Sequence, residues 1–297
     1  MTVTTAQVAP PVRPGRRRFS WTWVGLVPFF AFATLFLLIP TSYLVVGSFQ
    51  DKTGQPTIQN YIDLGSPHIS NAFLTSLEIS IVTAVLGGIF GFLLAYAVIG
   101  GGLPRPFRAG LLTFSGVASN FAGVPLAIAF IFTLGRVGFL TVLLKNVFGI
   151  DVYDNGFTLY SKVGLEIVYF FFQFPLMVLI IAPAIDGLKP EWREAAENMG
   201  ASPFQYWRRV ALPILFPTIL SCMILLFGNA LGAQATAYQL TGGTLPIVPV
   251  IIGAQISGDV LHNPGLGYAM AMGLVLIMTV ALILYSILQR RAERWRR

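Results

Sequence analysis

The sequence predicts an all-α integral membrane protein with six transmembrane helices. Three observations carry that expectation: a scarcity of charge, six apolar runs of spanning length, and basic residues that gather on alternate loops. Charged residues make up 10% of the chain and hydrophobic residues 55%, whereas a soluble domain holds about 25% charged residues. Such a chain needs lipid as its solvent.

The runs are Trp21–Val46, Ala72–Ile99, Ala109–Leu134, Val163–Ile185, Ile214–Tyr238 and Gly265–Leu288. Each reaches the ~20 residues that a helix needs to cross the hydrocarbon. Pro28, Pro40, Pro125 and Pro175 fall within or at the ends of these runs, where neighbouring helices can satisfy the freed carbonyls. Residues 1–20 are Pro-rich, carry four arginines, and read as a cytoplasmic tail. A signal peptide is the rival reading, but the first run is too long and lacks a small-residue cleavage site. The domain plan is then the tail 1–20, a permeation domain 21–289 and a basic cytoplasmic tail 290–297.

With the N-terminus inside and six crossings, fifteen of the 19 basic residues lie on the inner side. Lys52, Arg136, Lys145 and Lys162 remain outside. That bias places both termini in the cytoplasm. The net charge of +7 is spread over the ends of apolar runs, which fits membrane topology and excludes a nucleic-acid patch. Arg136–Phe148 has apolar residues at helical spacing and reads as an outer interfacial helix. Thr241–Gly258 is broken by Gly242, Gly243, Pro246 and Pro249, and reads as an irregular outer loop or re-entrant turn. Cys222 is the single cysteine, so no internal disulfide or Cys-based metal site can form.

The most structured polar segment is the loop 186–213 between the fourth and fifth runs. Pro190 suits a first helical position, and Glu191 and Glu194 suit a positive helix start. Gly200 is placed to end that helix in a left-handed conformation. Ser202, Pro203 and Gln205 encode a capping box for a second helix. Glu194-Ala195-Ala196, Gly200 and Val210-Ala211-Leu212-Pro213 match the pattern E-A-A, three residues, G, nine residues, I-x-L-P. The sole departure is Val210 for Ile. Here the chain resembles the permeases of binding-protein-dependent ATP-binding-cassette importers, over about Ala72 to the C-terminus.

The resemblance implies a type I importer permease fold and a multi-pass place in the bacterial inner membrane. The loop would be a coupling helix that docks on a separate ATPase. Glu194 would be its polar anchor, Ala195 and Ala196 its close-contact face, and Gly200 its bend. Val210, Leu212 and Pro213 complete the signature. The implied partners are two ATP-binding subunits, a second permease (a heterodimer is favoured), an extracytoplasmic solute-binding protein and membrane lipid. No cofactor is expected on this chain, since ATP and Mg would sit on the partner subunits. No phosphate-binding G-x-x-x-x-G-K-[ST] loop surrounds any of its lysines. An enzyme would need paired carboxylates, a His cluster or a nucleophile motif, and none is present. A secondary transporter would show half repeats and no ATPase-docking loop.

Candidates for the solute pathway are Glu78, Asn120, Gln173, Asn229, Gln234 and Tyr238, with Tyr169 and Thr236 nearby. Polar groups at membrane depth also bond helices together, so each has that alternative. Glu78 reads as an intramembrane carboxylate without a local partner, which would suit a cation. A polyamine is therefore the first solute expected, with iron, thiamine, phosphonate or sugar as alternatives. Glu166 reads as one half of an i, i+4 pair with Lys162. His68 and His262 fall in expected outer loops and form no metal cluster. Reporter fusions placed after Ser20 and after Arg297 should both read as cytoplasmic; an external C-terminus would contradict six crossings.

Overall fold

The computed structural model describes residues 25–101, 103–154, 156–257 and 263–294. Among them no β-strand forms, and six helical stretches have the length and hydropathy to cross a membrane. Residues 1–43 and residues 44–297 form two separate units. Helix α1 covers Val27–Ser48, with a π-helical turn at Thr34–Leu38. Its large side chains, including Phe29, Phe32, Phe36 and Leu37, are exposed, as a lipid-facing helix requires.

In the second unit, α2 is the short helix Gln59–Asp63. Buried Asn60 donates its amide to the carbonyls of Ser48 and Gln50 at 3.0 and 2.8 Å. Helix α3 covers Pro67–Gly100 and closes on a π-helical turn, Tyr96–Gly100. It starts before the expected Ala72 because Pro67 supplies a first helical residue without needing a donor. His68 therefore lies in its first turn and not in a loop. Helices α4, Arg105–Asn120, and α5, Val124–Leu134, replace the expected single run Ala109–Leu134. The break is at Phe121–Gly123, where Gly123 has φ of 74°. At 16 residues α4 spans ~24 Å, short of the hydrocarbon thickness; the third stretch of spanning length is Val124–Phe148, which begins with α5.

Helix α6 is Phe139–Phe148, helical as expected but the end of that third stretch of spanning length; it stops on left-handed Gly149 beside a Lys145–Asp151 ion pair of 2.8 Å. Helix α7 covers Lys162–Asp186 and is the most enclosed of the spanning helices. Helix α8, Pro190–Asn198, leads to α9, Pro203–Leu231, which contains a π-helical turn at Trp207–Ala211. The expected run Ile214–Tyr238 is also two pieces: α9 ends at Leu231, and α10, Gln234–Thr241, follows. The supposed irregular loop is largely α11, Val248–Ser257, too short to cross. Its first residue donates its backbone N–H to the Ser76 hydroxyl at 2.9 Å. Helix α12 covers Pro264–Arg294, so part of the expected C-terminal tail is helical. The N-terminal tail and His262 lie outside the described residues.

Helix α7 is the strut of this unit. One core cluster joins its Val168, Tyr169 and Phe172 to Ile79, Leu126, Ala237 and Leu240. A second joins its Met177, Val178 and Ile181 to Ala84, Ala95, Leu215 and Leu226. Small residues on α3 allow the close approach that membrane helices use in place of a hydrophobic drive. A Cβ on Gly87 would stand 2.8 Å from the Gln173 Cβ, and one on Gly91 would stand 2.6 Å from the Phe174 carbonyl oxygen. Gly91→Val should therefore force α3 and α7 apart and cost about 1–3 kcal/mol. Gly110→Ala, which meets nothing within 4 Å, should be neutral. Thermal unfolding of the two purified variants in detergent compares them directly.

Candidate functional site

The segment from Asp186 to Pro213 folds as its local chemistry dictates. Pro190 opens α8 and Glu191 lies in its first turn. The helix stops through a C-terminal hydrogen-bond wrap: the Ala201 N–H reaches the Ala196 carbonyl at 3.0 Å, and Gly200 has φ of 76°. That wrap requires a left-handed residue, which glycine adopts without strain. Both halves of the expected capping box then form. The Ser202 N–H donates to Gln205 Oε1 at 2.9 Å, and the Gln205 N–H donates to Ser202 Oγ at 3.3 Å.

This turn has its own small core of Ala196, Tyr206 and Ala211, with Trp192, Trp207 and Val210 packed on it. The two signature alanines thus separate. Ala196 is buried at 3% exposure, while Ala195 faces outward, because consecutive residues of a helix sit about 100° apart. Only Ala195 belongs to an approachable face. Glu194 is one turn past the helix start, so the helix dipole does not account for it. It is exposed and pairs with no cation among the described residues. Its neighbours behave otherwise: Arg193 donates to Glu197 at 2.9 Å, and that hydrogen bond, then the charge behind it, raises the Arg193 guanidinium further above its ordinary pKa. Leu212 and Pro213 are exposed in the first turns of α9's straight portion.

The sequence reading passed over two apolar side chains on this polar turn. Met199 and Phe204, either side of Gly200, are 81% and 72% exposed. Their apolar character inside a hydrophilic loop was the available signal. The reading also passed over the joint to the bundle, where Trp207 meets Tyr96 edge-to-face with centroids 4.0 Å apart. At the same end Arg108 of α4 pairs with Asp186 of α7.

The pathway candidates divide. Glu78 is not unpartnered: it forms an ion pair with Lys162, the first residue of α7. The expected Lys162–Glu166 pair gives way to that contact between helices. Gln173 is fully buried and donates Nε2 to the Leu226 carbonyl at 2.7 Å, so it bonds α7 to α9. Asn120, Asn229, Gln234 and Tyr238 are exposed. Asn120 closes α4, and Gln234 opens α10. The two helix breaks lie side by side, since the Gly123 N–H donates to Thr236 Oγ1 at 2.8 Å. The Tyr169 hydroxyl donates to the Ala233 carbonyl freed by the second break. Beside the two discontinuous helices stand the exposed amides of Asn229 and Gln234 and the Tyr238 phenol, while the Asn120 amide donates to the Gly116 carbonyl at 2.8 Å.

The family described as binding-protein-dependent transport system inner membrane component matches residues 97–294. The chain belongs to that family. It is therefore a multi-pass inner-membrane permease subunit of an ABC importer. The permease is similar to a probable sulfate transport system permease protein cysT of Nephroselmis olivacea, 25% identical over 80% of this chain and 78% of the relative. The CysT protein of Salmonella typhimurium is 29% identical over 71% of this chain and 72% of its own. The spermidine/putrescine permease PotB of Haemophilus influenzae is 25% identical over 89% and 94%. Among solved structures, a bacterial ABC transporter importing the acidic polysaccharide alginate matches with TM-score 0.70 at 19% identity, covering 92% of this chain and 95% of that one. The MetNI methionine transporter matches with TM-score 0.53 at 16% identity, covering 76% and 96%. These two likenesses bear out the type I fold.

Ser202→Ala should loosen the turn by about 1 kcal/mol, the usual cost of a lost N-cap. Hydrogen exchange at the Gln205 amide should quicken about fivefold, while exchange in α7 stays unchanged.

Proposed function

We propose that the permease passes a small polar solute inward along the strip beside its two helix breaks, and that the turn Pro190–Phe204 couples that passage to a separate ATP-binding subunit. The observation that carries the coupling is a rigid, self-cored turn that leaves Glu194, Ala195, Met199 and Phe204 open at one end of the bundle. A partner with ATP and Mg would meet that face on the cytoplasmic side. An extracytoplasmic solute-binding protein would deliver solute at the other end, and a second, different permease would complete the pathway. One of the alginate structures is of a complex with a solute-loaded periplasmic protein, which supports that arrangement.

The relatives divide between sulfate and polyamine carriers in their names. The case for a polyamine rested on an unpaired Glu78, and Lys162 neutralises that carboxylate. The exposed side chains at the breaks hold no negative charge: Asn229, Gln234 and Tyr238 can donate hydrogen bonds, and the Asn120 amide already donates to the Gly116 carbonyl at 2.8 Å. That lining favours an oxyanion such as sulfate over a polycation.

Gly200→Val should strain the bend, since a β-branched residue is poorly tolerated at positive φ. Glu194→Lys should reverse charge on the proposed contact. With the complex assembled, both should cut sulfate uptake at least tenfold and reduce retention of the ATP-binding subunit, while the permease still inserts. Normal retention and uptake in both variants would remove the coupling assignment. Uptake of spermidine but not sulfate by the unmodified complex would reverse the solute assignment and leave coupling standing.

A further inference from the structure

One amide near the midpoint of α7 is only half satisfied. Gln173 has no exposed surface. Its Nε2 donates to the Leu226 carbonyl at 2.7 Å, but its Oε1 is buried and has no hydrogen-bond partner among the described residues. Turning the amide over would set its oxygen against the Leu226 carbonyl, two acceptors face to face, so the orientation is fixed. The bond to Leu226 does not explain the amide. Leu226 lies within α9, where helix geometry already supplies its carbonyl with the N–H of Ala230. A leucine of similar size at position 173 would leave no orphaned oxygen, and a half-satisfied buried group is worse than an apolar one. Nor is the side chain loose, since a Cβ on Gly87 of α3 would stand 2.8 Å from the Gln173 Cβ.

The donor that Oε1 lacks is carried by α9. The side chains that the straight portion of α9 buries are Leu215, Ile219, Cys222, Leu226, Ala230 and Leu231, of which only the weak thiol can donate. Asn229 stands at the edge of that face. It lies about 60° around the helix and about 4.5 Å along its axis from Leu226, and about 20° from the line of Cys222. Its side chain is exposed. Helix α9 has a joint at each end, the π-helical turn Trp207–Ala211 and the break after Leu231. Helix α7 has less freedom, because α3 grips it at Gly87 and Gly91.

We propose that Gln173 is a latch with two positions. In this structure Nε2 holds the Leu226 carbonyl. In the other, α9 moves about 4.5 Å towards its own N-terminal end and turns by about 60°, and the Asn229 amide donates to Oε1. The orphaned oxygen raises the energy of the first position and so keeps the second within reach. The same step draws Asn229 away from the strip beside the breaks. That consequence rests on the proposed pathway; the exchange of partners does not.

The test reads the position of α9 directly. Spin labels go on cysteines at Val163 of α7 and Leu225 of α9, both exposed, in the assembled complex; Cys222 is buried and escapes labelling. Pulsed electron resonance is recorded without nucleotide and with a non-hydrolysable ATP analogue. A second population should appear, longer by about 4 Å. Gln173→Leu and Asn229→Leu should each shrink it about fivefold, the worth of one hydrogen bond, and the double variant should lose no more. Gln173→Leu should also raise the unfolding temperature of the nucleotide-free complex, whereas a merely structural bond to Leu226 predicts a fall. Absence of the second distance in both conditions overturns the latch. So does a population that either variant leaves unchanged, an additive loss in the double variant, or a lowered unfolding temperature in Gln173→Leu. Asn229→Leu alters an exposed residue and decides the matter alone if Gln173→Leu fails to assemble. A second population that the nucleotide does not change would keep the latch and count against the coupling assignment.

Discussion

The structure depends on one constraint: backbone polar groups at membrane depth must find partners inside the protein. Both broken helices obey it through hydrogen bonds to other elements. The hydroxyl of Thr236 accepts from the Gly123 N–H and donates to the Gly123 carbonyl at 3.3 Å. Tyr169 supplies the donor that Ala233 needs. Without Thr236, and without Tyr169 of α7 beside the second break, the breaks would expose peptide groups to hydrocarbon at a cost of several kcal/mol. The close approach of α3 at Gly87 and Gly91 holds α7 in that position.

The helices themselves were legible in the sequence because spanning demands length and low charge, and both are one-dimensional properties. The breaks were not. Phe121-Ala122-Gly123 and Gly232-Ala233 are apolar or small, so a hydropathy profile runs through them as if the helix continued. Pro125 was a partial signal, since proline favours the first turn of a new helix. The partner of Glu78 was hidden for a different reason. Its partner Lys162 lies far along the chain, and only the packing of α3 on α7 joins them. A partner sought within one helical turn could not reveal it.

The turn after α7 shows the same division at a finer scale. Its stop and start signals are local hydrogen bonds over a few residues, so Gly200 and the Ser202–Gln205 box were readable directly. Which of Ala195 and Ala196 faces inward was not, because the phase of α8 is set by Tyr206 and Ala211 across the turn. Helix length was nearly right for the same local reason: Pro190 starts α8, and the wrap around Gly200 ends it.

That architecture bears on how force can leave the turn. A loop held by water-exposed hydrogen bonds alone would absorb a push by changing its own shape. Here Ala196, Tyr206 and Ala211 pack into one body with the start of α9, and packed cores switch between arrangements instead of deforming smoothly. The connection into the membrane is less uniform. Both α3 and α9 pass through π-helical turns where they meet, Tyr96–Gly100 and Trp207–Ala211, and Tyr96 rests on Trp207 at that junction. A π-turn carries one residue more than its α-helical equivalent and is found disproportionately at functional sites. In the coupling proposed above, a stiff turn joined to the bundle at two such points would move as a lever about the Tyr96–Trp207 contact. That motion would reach α9 first, and through α9 the break at Gly232–Ala233 beside Gln234.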